Sequence, residues 1–213
     1  MDPGLNSLLK WGVENSTTTS NDPSSGPPQN SGLTAEALNA LLGGPSDADL
    51  MVSSMTAIQS LDTTITLEDR LVAFDNFEQL IENLDNANNL GPLALWTPLL
   101  SCLGHEESEM RKMAAWCVGT AVQNNEKSQE RLLAMGGIPP LAKMAVGQAE
   151  VPAVRRKAVY ALSSACRNYQ PAMDALTEEL GKLGRKGDKI DASDMDACDV
   201  LIGALREEAA AAA

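Results

Sequence analysis

Three stretches of this sequence align with one another without gaps. They read RLVAFDNFEQLIEN, RKMAAWCVGTAVQN and RRKAVYALSSACRN, and they begin at Arg70, Arg111 and Arg155, so they are spaced by 41 and 44 residues. Each begins with arginine, carries alanine at its fourth position and closes with asparagine. This repetition constrains the fold strongly, because a repeated unit buries its apolar face only by stacking on its neighbours.

The spacing of the repeat predicts the fold class. Units of about 40 to 47 residues with two or three helices each are typical of armadillo and HEAT repeats. From residue 67 onward the apolar residues follow a helical period, with glycine and proline between the helical stretches. We therefore predict an all-α fold, an armadillo- or HEAT-like right-handed α-solenoid of about three repeats with a flexible N-terminal segment.

A helical wheel divides each aligned segment into two faces. Positions four, five, eight, eleven and twelve fall together and predict a buried stripe. That stripe consists of Ala73, Phe74, Phe77, Leu80, Ile81, Ala114, Ala115, Val118, Ala121, Val122, Ala158, Val159, Leu162, Ala165 and Cys166. Positions six, ten and thirteen fall opposite and predict an outward face. That face consists of Asp75, Gln79, Glu82, Trp116, Thr120, Gln123, Tyr160, Ser164 and Arg167.

The two aromatic residues of the outward face, Trp116 and Tyr160, point to its function. Aromatic residues gathered on one exposed face typically mark a binding surface. The alternative is that both rings pack against the neighbouring repeat. We favour binding, and predict that the residues of the outward face contact a partner.

Asparagine is unusually frequent where the first segment ends. Asn83, Asn124 and Asn168 share the closing position of the three segments, and asparagine tolerates left-handed helix ends, so we predict that these three cap helices. The asparagines just after Asn83 have no counterparts in the other segments, and a small alanine among them would allow close approach. The residues predicted to contact a partner here are Asn86, Ala87, Asn88 and Asn89.

The charge and the sparse reactive residues exclude several function classes. Lys and Arg number 16 against 29 Asp and Glu, a net charge of −13, which disfavours nucleic acid and anionic membranes as partners. We find no signal peptide and no membrane-spanning run, and predict a cytoplasmic protein. Because Cys102, Cys117, Cys166 and Cys198 are widely separated and His105 is the single histidine, we predict reduced packing cysteines, no metal, no cofactor and no enzymatic activity.

Breaks in composition predict the domain boundaries. Residues 1–32 read as a leader and a disordered linker, and residues 33–66 as capping helices, the first with Thr34 as N-cap and the second over residues 47–61. The repeat domain is predicted over residues 67–208, with a closing helix that begins near Asp194. Residues 209–213 form an alanine tail.

Several motifs closely resemble one family. LVAFDNFEQLIENLDNANNL, the pair LW at residues 95–96, GTAVQNN and KAVYALSSACRN resemble the Fes-type nucleotide exchange factors, as does the leader LLKW. These are armadillo-like co-chaperones of the heat shock protein 70 chaperone, and the resemblance covers most of residues 1–170. GGIPPL, at residues 136–141, resembles the armadillo joint between the first two helices of a unit.

The resemblance implies a mechanism. The aligned helices would line a concave face that grips the chaperone's ATPase domain and displaces its outer lobe, so that ADP leaves, ATP enters and the client polypeptide is released. We expect a monomer. Longer relatives carry a further repeat beyond Asn168 that contributes contacts, and residues 171–187 keep little of it. The alternative is a non-catalytic armadillo adaptor that holds a basic extended peptide.

The leader LNSLLKWGV is leucine-rich and carries one lysine. The chaperone's client groove takes short leucine-rich segments flanked by basic residues, so the leader resembles a decoy client. The residues predicted for this role are Leu5, Leu8, Leu9 and Trp11. The alternative is a terminal helix that docks on the solenoid.

Overall fold

The computed structural model describes residues 43–185 and 188–211, and every regular element in these two ranges is helical. Residues from Asp47 onward form one compact unit. Within the described ranges lie α1 (Asp47–Ile58), α2 (Leu67–Ile81), α3 (Leu84–Asn89), α4 (Trp96–Ser101), a 3₁₀ turn (Cys102–Gly104), α5 (Ser108–Val122), α6 (Glu126–Ala134), α7 (Ile138–Val146), α8 (Pro152–Cys166), α9 (Gln170–Lys182) and α10 (Met195–Ala211).

The three aligned segments form three helices that pack side by side. They are α2, α5 and α8, and α5 lies between the other two. Fourteen of the fifteen residues in the predicted stripe are buried, and Leu80 is half-buried against the core. The predicted stripe is therefore confirmed, and these helices build the centre of the apolar core.

The middle helix is buried more widely than the wheel predicts. Met113, Cys117 and Gly119 of α5 are buried although they lie outside the predicted stripe. The cause is the position of α5, because α2 covers one flank and α8 the other. One stripe describes a helix packed on one layer, and α5 has neighbours on more sides than that.

Two of the three predicted asparagine caps adopt the expected backbone. Asn124 and Asn168 have φ of 51° and 57°, in the left-handed region that ends a helix. For Asn83 the prediction of a left-handed end is wrong, since its φ is −72°. The next helix begins at once with Leu84, so Asn83 serves as its N-cap, and its side-chain oxygen accepts a bond of 2.9 Å from the Asp85 N–H.

The GGIPPL stretch joins two helices, as predicted. It runs from the end of α6 into α7, and Gly136 has a φ of +70° that suits glycine. Gly137 is constrained by space and not by its backbone angles, since an added Cβ would lie 2.1 Å from the Leu132 side chain. The two helices therefore approach closely at this joint.

The last helix belongs to the folded core. α10 packs on α8 and α7 and continues to Ala211, with Ala209 fully buried. At the other end, α1 packs on α2 and stops at Ile58 rather than at residue 61, where Leu61 is 94% exposed. The predicted domain boundaries at residues 32, 66 and 208 stay predictions, and the Thr34 cap and the leader lie outside the described residues.

The cysteines fill space, as predicted. All four are free and buried, and burial raises the pKa of the Cys117 and Cys166 thiols well above the usual range. Within the described ranges, no group of three or more His, Cys, Asp or Glu residues could hold a metal ion. None of the helices described is both long and apolar enough to cross a membrane.

Candidate partner-binding groove

One face of α2, α5 and α8 forms a groove, which we call the central groove. Its cavity has a volume of about 440 Å³. It is lined by Glu78, Glu82, Trp116, Thr120, Gln123, Asn124 and Tyr160. Five of these seven residues were predicted from the wheel for the outward face, so the structure brings together residues from all three repeats.

A glycine of α5, Gly119, leaves the space that the Tyr160 ring occupies. A Cβ at Gly119 would lie 2.5 Å from two ring carbons of Tyr160, so only glycine lets the ring lie against α5. The Tyr160 hydroxyl donates a hydrogen bond of 3.2 Å to the side-chain oxygen of Gln123. Tyr160 thus packs on the neighbouring repeat, which was the alternative to binding, and also lines the groove.

A cation lies over the second aromatic residue of the groove. The Lys157 ammonium is 3.3 Å from the centroid of the Trp116 ring and 5.7 Å from that of Tyr160. Such a cation–π contact contributes about 0.5 to 2 kcal/mol, depending on desolvation. Trp116 is half-buried against the core, so its ring supports Lys157 from a fixed position. Lys157 was missed, although it stands at position three, which falls on the outward face of the wheel.

The α2 wall of the groove is acidic. Glu78 is buried and accepts a hydrogen bond of 2.7 Å from the Thr120 hydroxyl, which links α2 to α5. Glu82, the C-cap residue of α2, is exposed and lines the groove; Asp75 is exposed outside its lining and accepts a bond of 2.9 Å from the Gln79 amide. The groove therefore has carboxylates on the α2 side and the Lys157 ammonium on the α8 side.

The end of the groove on α8 is tied to the last helix. Arg167 donates to the Ser163 hydroxyl over 3.1 Å and forms an ion pair with Asp199 of α10. Ser164 is half-buried, and its backbone carbonyl accepts a bond of 2.8 Å from Gln129. Of the predicted outward residues, Arg167 already has an intramolecular partner, so it serves first to hold α10.

Comparison with known proteins decides the family. The model for the nucleotide exchange factor Fes1 matches residues 5–90. The Hsp70 nucleotide exchange factor FES1 of Gibberella zeae is 64% identical over 208 residues, which cover 97% of this chain and 97% of that relative. This chain belongs to the Fes1 family. The resemblance drawn from the sequence motifs is therefore confirmed.

Two further Fes1 relatives match over nearly their whole length. The Hsp70 nucleotide exchange factor fes-1 of Neurospora crassa is 49% identical over 247 aligned positions, which cover all of both chains. The Hsp70 nucleotide exchange factor FES1 of Coccidioides immitis is 50% identical over 212 positions, covering 97% of this chain and 99% of the relative. Membership thus extends over the groove helices and the last helix, beyond the part that the family model matches.

The asparagine cluster lies in the part that the Fes1 model matches, and its first two residues are buried. The Asn86 amide donates to Asp47 over 2.8 Å and to the Leu80 carbonyl over 3.0 Å, and Asn86 is only 7% exposed. Ala87 is 3% exposed. Packing of α3 against α1 and α2 encloses both side chains in the free chain, and their contact with a partner stays a prediction.

The other two asparagines keep their place as candidates. Asn89 is exposed, and Asn88 is half-buried at a second cavity of about 400 Å³ that Trp96, Lys127 and Arg131 also line. The Asn88 side-chain oxygen is buried and accepts no hydrogen bond within the described part of the chain. Asn89 is therefore the most accessible residue of this cluster, and Asn88 has a side-chain oxygen without an intramolecular partner in the described residues.

Proposed function

We propose that this chain is a nucleotide exchange factor of an Hsp70 chaperone, a co-chaperone that binds the ATPase domain and promotes the release of ADP and of the client. The observation that carries the proposal is the 64% identity to an Hsp70 nucleotide exchange factor over 97% of both chains. The chain would use binding energy for this and carry out no chemistry itself.

The repeat geometry supports an armadillo-like solenoid as the scaffold. α2, α5 and α8 recur at the spacing of armadillo units and pack in succession, which agrees with the third helix of three successive repeats. The joint at Gly136 and Gly137 agrees with the turn between the first two helices of a unit. In this proposal the central groove is the concave face, and it receives the ATPase domain.

The groove is suited to act as a preformed binding surface. Contacts between repeats hold its side chains before any partner arrives: Thr120 bonds Glu78, Tyr160 bonds Gln123, and Gly119 accommodates the Tyr160 ring. A preformed surface binds best the partner conformation that fits it. If that conformation has its outer lobe displaced, binding stabilises a state that holds ADP poorly, and ADP leaves.

The proposal also includes the charge of the partner surface, the cellular location and the oligomeric state. A net charge of −13 fits a partner surface with basic residues opposite the α2 wall and disfavours nucleic acid and anionic membranes. We place the protein in the cytoplasm as a monomer that reaches the chaperone by diffusion.

Linkage supplies the test. If the protein weakens the chaperone's hold on ADP by some factor, ADP weakens the chaperone's hold on the protein by the same factor. We expect calorimetric titration of the Hsp70 ATPase domain to give a clearly larger Kd with saturating ADP than without nucleotide. Equal values would contradict the proposal. Tight binding of an unstructured basic peptide in place of the ATPase domain would favour an adaptor instead.

A further inference from the structure

Lys157 places a positive charge beside the two aromatic residues of the groove. Its Nζ lies 3.3 Å from the centroid of the Trp116 ring and 5.7 Å from that of the Tyr160 ring. An aromatic face attracts an ammonium group through its quadrupole but carries no formal charge. The two rings therefore stabilise the ammonium group without neutralising its charge.

Lys157 differs from the other cations of α5 and α8 that are not exposed. Within the described residues no carboxylate oxygen lies within ion-pair distance of Lys157, and the nearby Glu78 accepts a bond from Thr120. Burial lowers the pKa of Lys157; Glu78 opposes this, and Lys112 adds to it. The other cations of α5 and α8 that are not exposed all lie in ion pairs. These pairs are Arg111 with Glu150, Lys112 with Glu109, and Arg155 with Glu208.

We propose that Lys157 receives a carboxylate side chain of the partner, and that it thereby sets the orientation of the ATPase domain in the groove. The proposal rests on the proposed function for the identity of that partner. An acidic residue of the partner would be repelled by Glu78 and Glu82, which line the groove, and attracted by Lys157 beside Trp116. The groove thus distinguishes two orientations of a partner by charge.

Two substitutions separate charge from packing. Lys157→Met keeps the length of the alkyl chain over Trp116 and removes the charge, whereas Lys157→Arg keeps the charge and the stacking on the ring. For the nucleotide-free Hsp70 ATPase domain we expect Lys157→Met to raise the Kd roughly 30-fold or more, as for loss of one member of a desolvated charge pair. Lys157→Arg should stay within about threefold of the wild type, since its charge persists.

Matched controls exclude simpler causes. Lys143→Met removes the same charge from an exposed position on α7, outside the groove, and should leave the Kd unchanged. Thermal unfolding of each variant is measured first, and Lys157→Gln replaces the methionine variant if the latter is not folded. Salt should weaken the wild type more than Lys157→Met, because a charge pair is screened.

The outcomes are distinct. If the wild type binds the ATPase domain and the folded neutral variants bind within about twofold of it, the role of Lys157 is overturned and the proposed function stands. Equal weakening by methionine and arginine, or by the control at Lys143, would also overturn it. If the wild type does not bind the ATPase domain, both proposals fall.

Discussion

Glu208, near the end of α10, lies 3.6 Å from the guanidinium group of Arg155 in α8. Arg155 is completely buried; its Nε donates to the Ala145 carbonyl over 3.0 Å, and one of its terminal nitrogens has no hydrogen-bond partner within the described residues. Glu208 also pairs with Arg185. The last helix thus supplies the counter-charge of a buried cation, and this ties it to the third repeat.

Neutralising Glu208 should destabilise the fold. Leaving a buried charge without its partner costs about 3 to 5 kcal/mol, and we expect about 2 kcal/mol for Glu208→Gln because this carboxylate is partly exposed. Urea denaturation followed by circular dichroism measures the loss. Glu207→Gln removes the same charge from an exposed neighbour and should leave the midpoint unchanged. Identical midpoints for the two variants would show that Glu208 does not hold α10 in place.

Gly119→Ala tests the seat of the Tyr160 ring. The added Cβ would lie 2.5 Å from the ring and 3.1 Å from the Ala161 Cα. We expect a net loss of about 1 to 2 kcal/mol in stability, since overpacking costs more than the helix propensity of alanine recovers. Binding of the ATPase domain should weaken as well.

The control for this variant lies in another helix. Gly203→Ala changes a glycine of α10 whose added Cβ would meet no atom within 4 Å, and it should raise stability by up to about 1 kcal/mol. Denaturant midpoints compare the two. If Gly119→Ala proved as stabilising as Gly203→Ala, the close approach of Tyr160 would not constrain position 119.

Asn86 and Asn89 should respond in opposite ways. Asn86→Ala removes two hydrogen bonds from a buried amide and leaves the Leu80 carbonyl without this donor, so stability should fall by about 1 to 3 kcal/mol. Asn89→Ala should leave stability unchanged and weaken binding if Asn89 contacts the partner. Thermal midpoints together with Kd values decide this. Unchanged stability in Asn86→Ala would argue against the structural role assigned to that residue.

The features predicted most reliably from the sequence are those that recur in all three aligned segments. The buried stripe and the helix ends at Asn124 and Asn168 were recoverable because equivalent positions recur under the same local rules. The period of the segments also sufficed for the all-helical fold. Local spacing along one helix carries this information, and no distant residue needs to be known.

Contacts between distant residues could not be predicted. Asn86 is buried because its amide reaches Asp47, 39 residues away, and no helical wheel contains that pairing. Lys157 lies beside the groove because its ammonium group packs over Trp116 of another helix. Asn83 has a negative φ in place of the expected positive one, because a new helix starts immediately after it.

Removing residues 1–32 tests the predicted decoy, whose residues lie outside those the structure describes. A tether would hold the leader near the client groove at an effective concentration on the order of millimolar. With the truncated protein, the chaperone should release ADP as fast as it does with the full-length protein. Net release of a tightly bound labelled client peptide from the chaperone should be slower than with the full-length protein. Equal client release by both proteins across client concentrations would exclude the decoy.

The most direct test of the proposed function is stopped-flow measurement of labelled ADP release from Hsp70, chased with excess ATP. We predict that the release rate rises with the concentration of this protein and reaches a plateau, and that Tyr160→Ala in the central groove shifts the rise to higher concentrations. A release rate that stays at the value of Hsp70 alone, at all concentrations of the protein, would contradict the account.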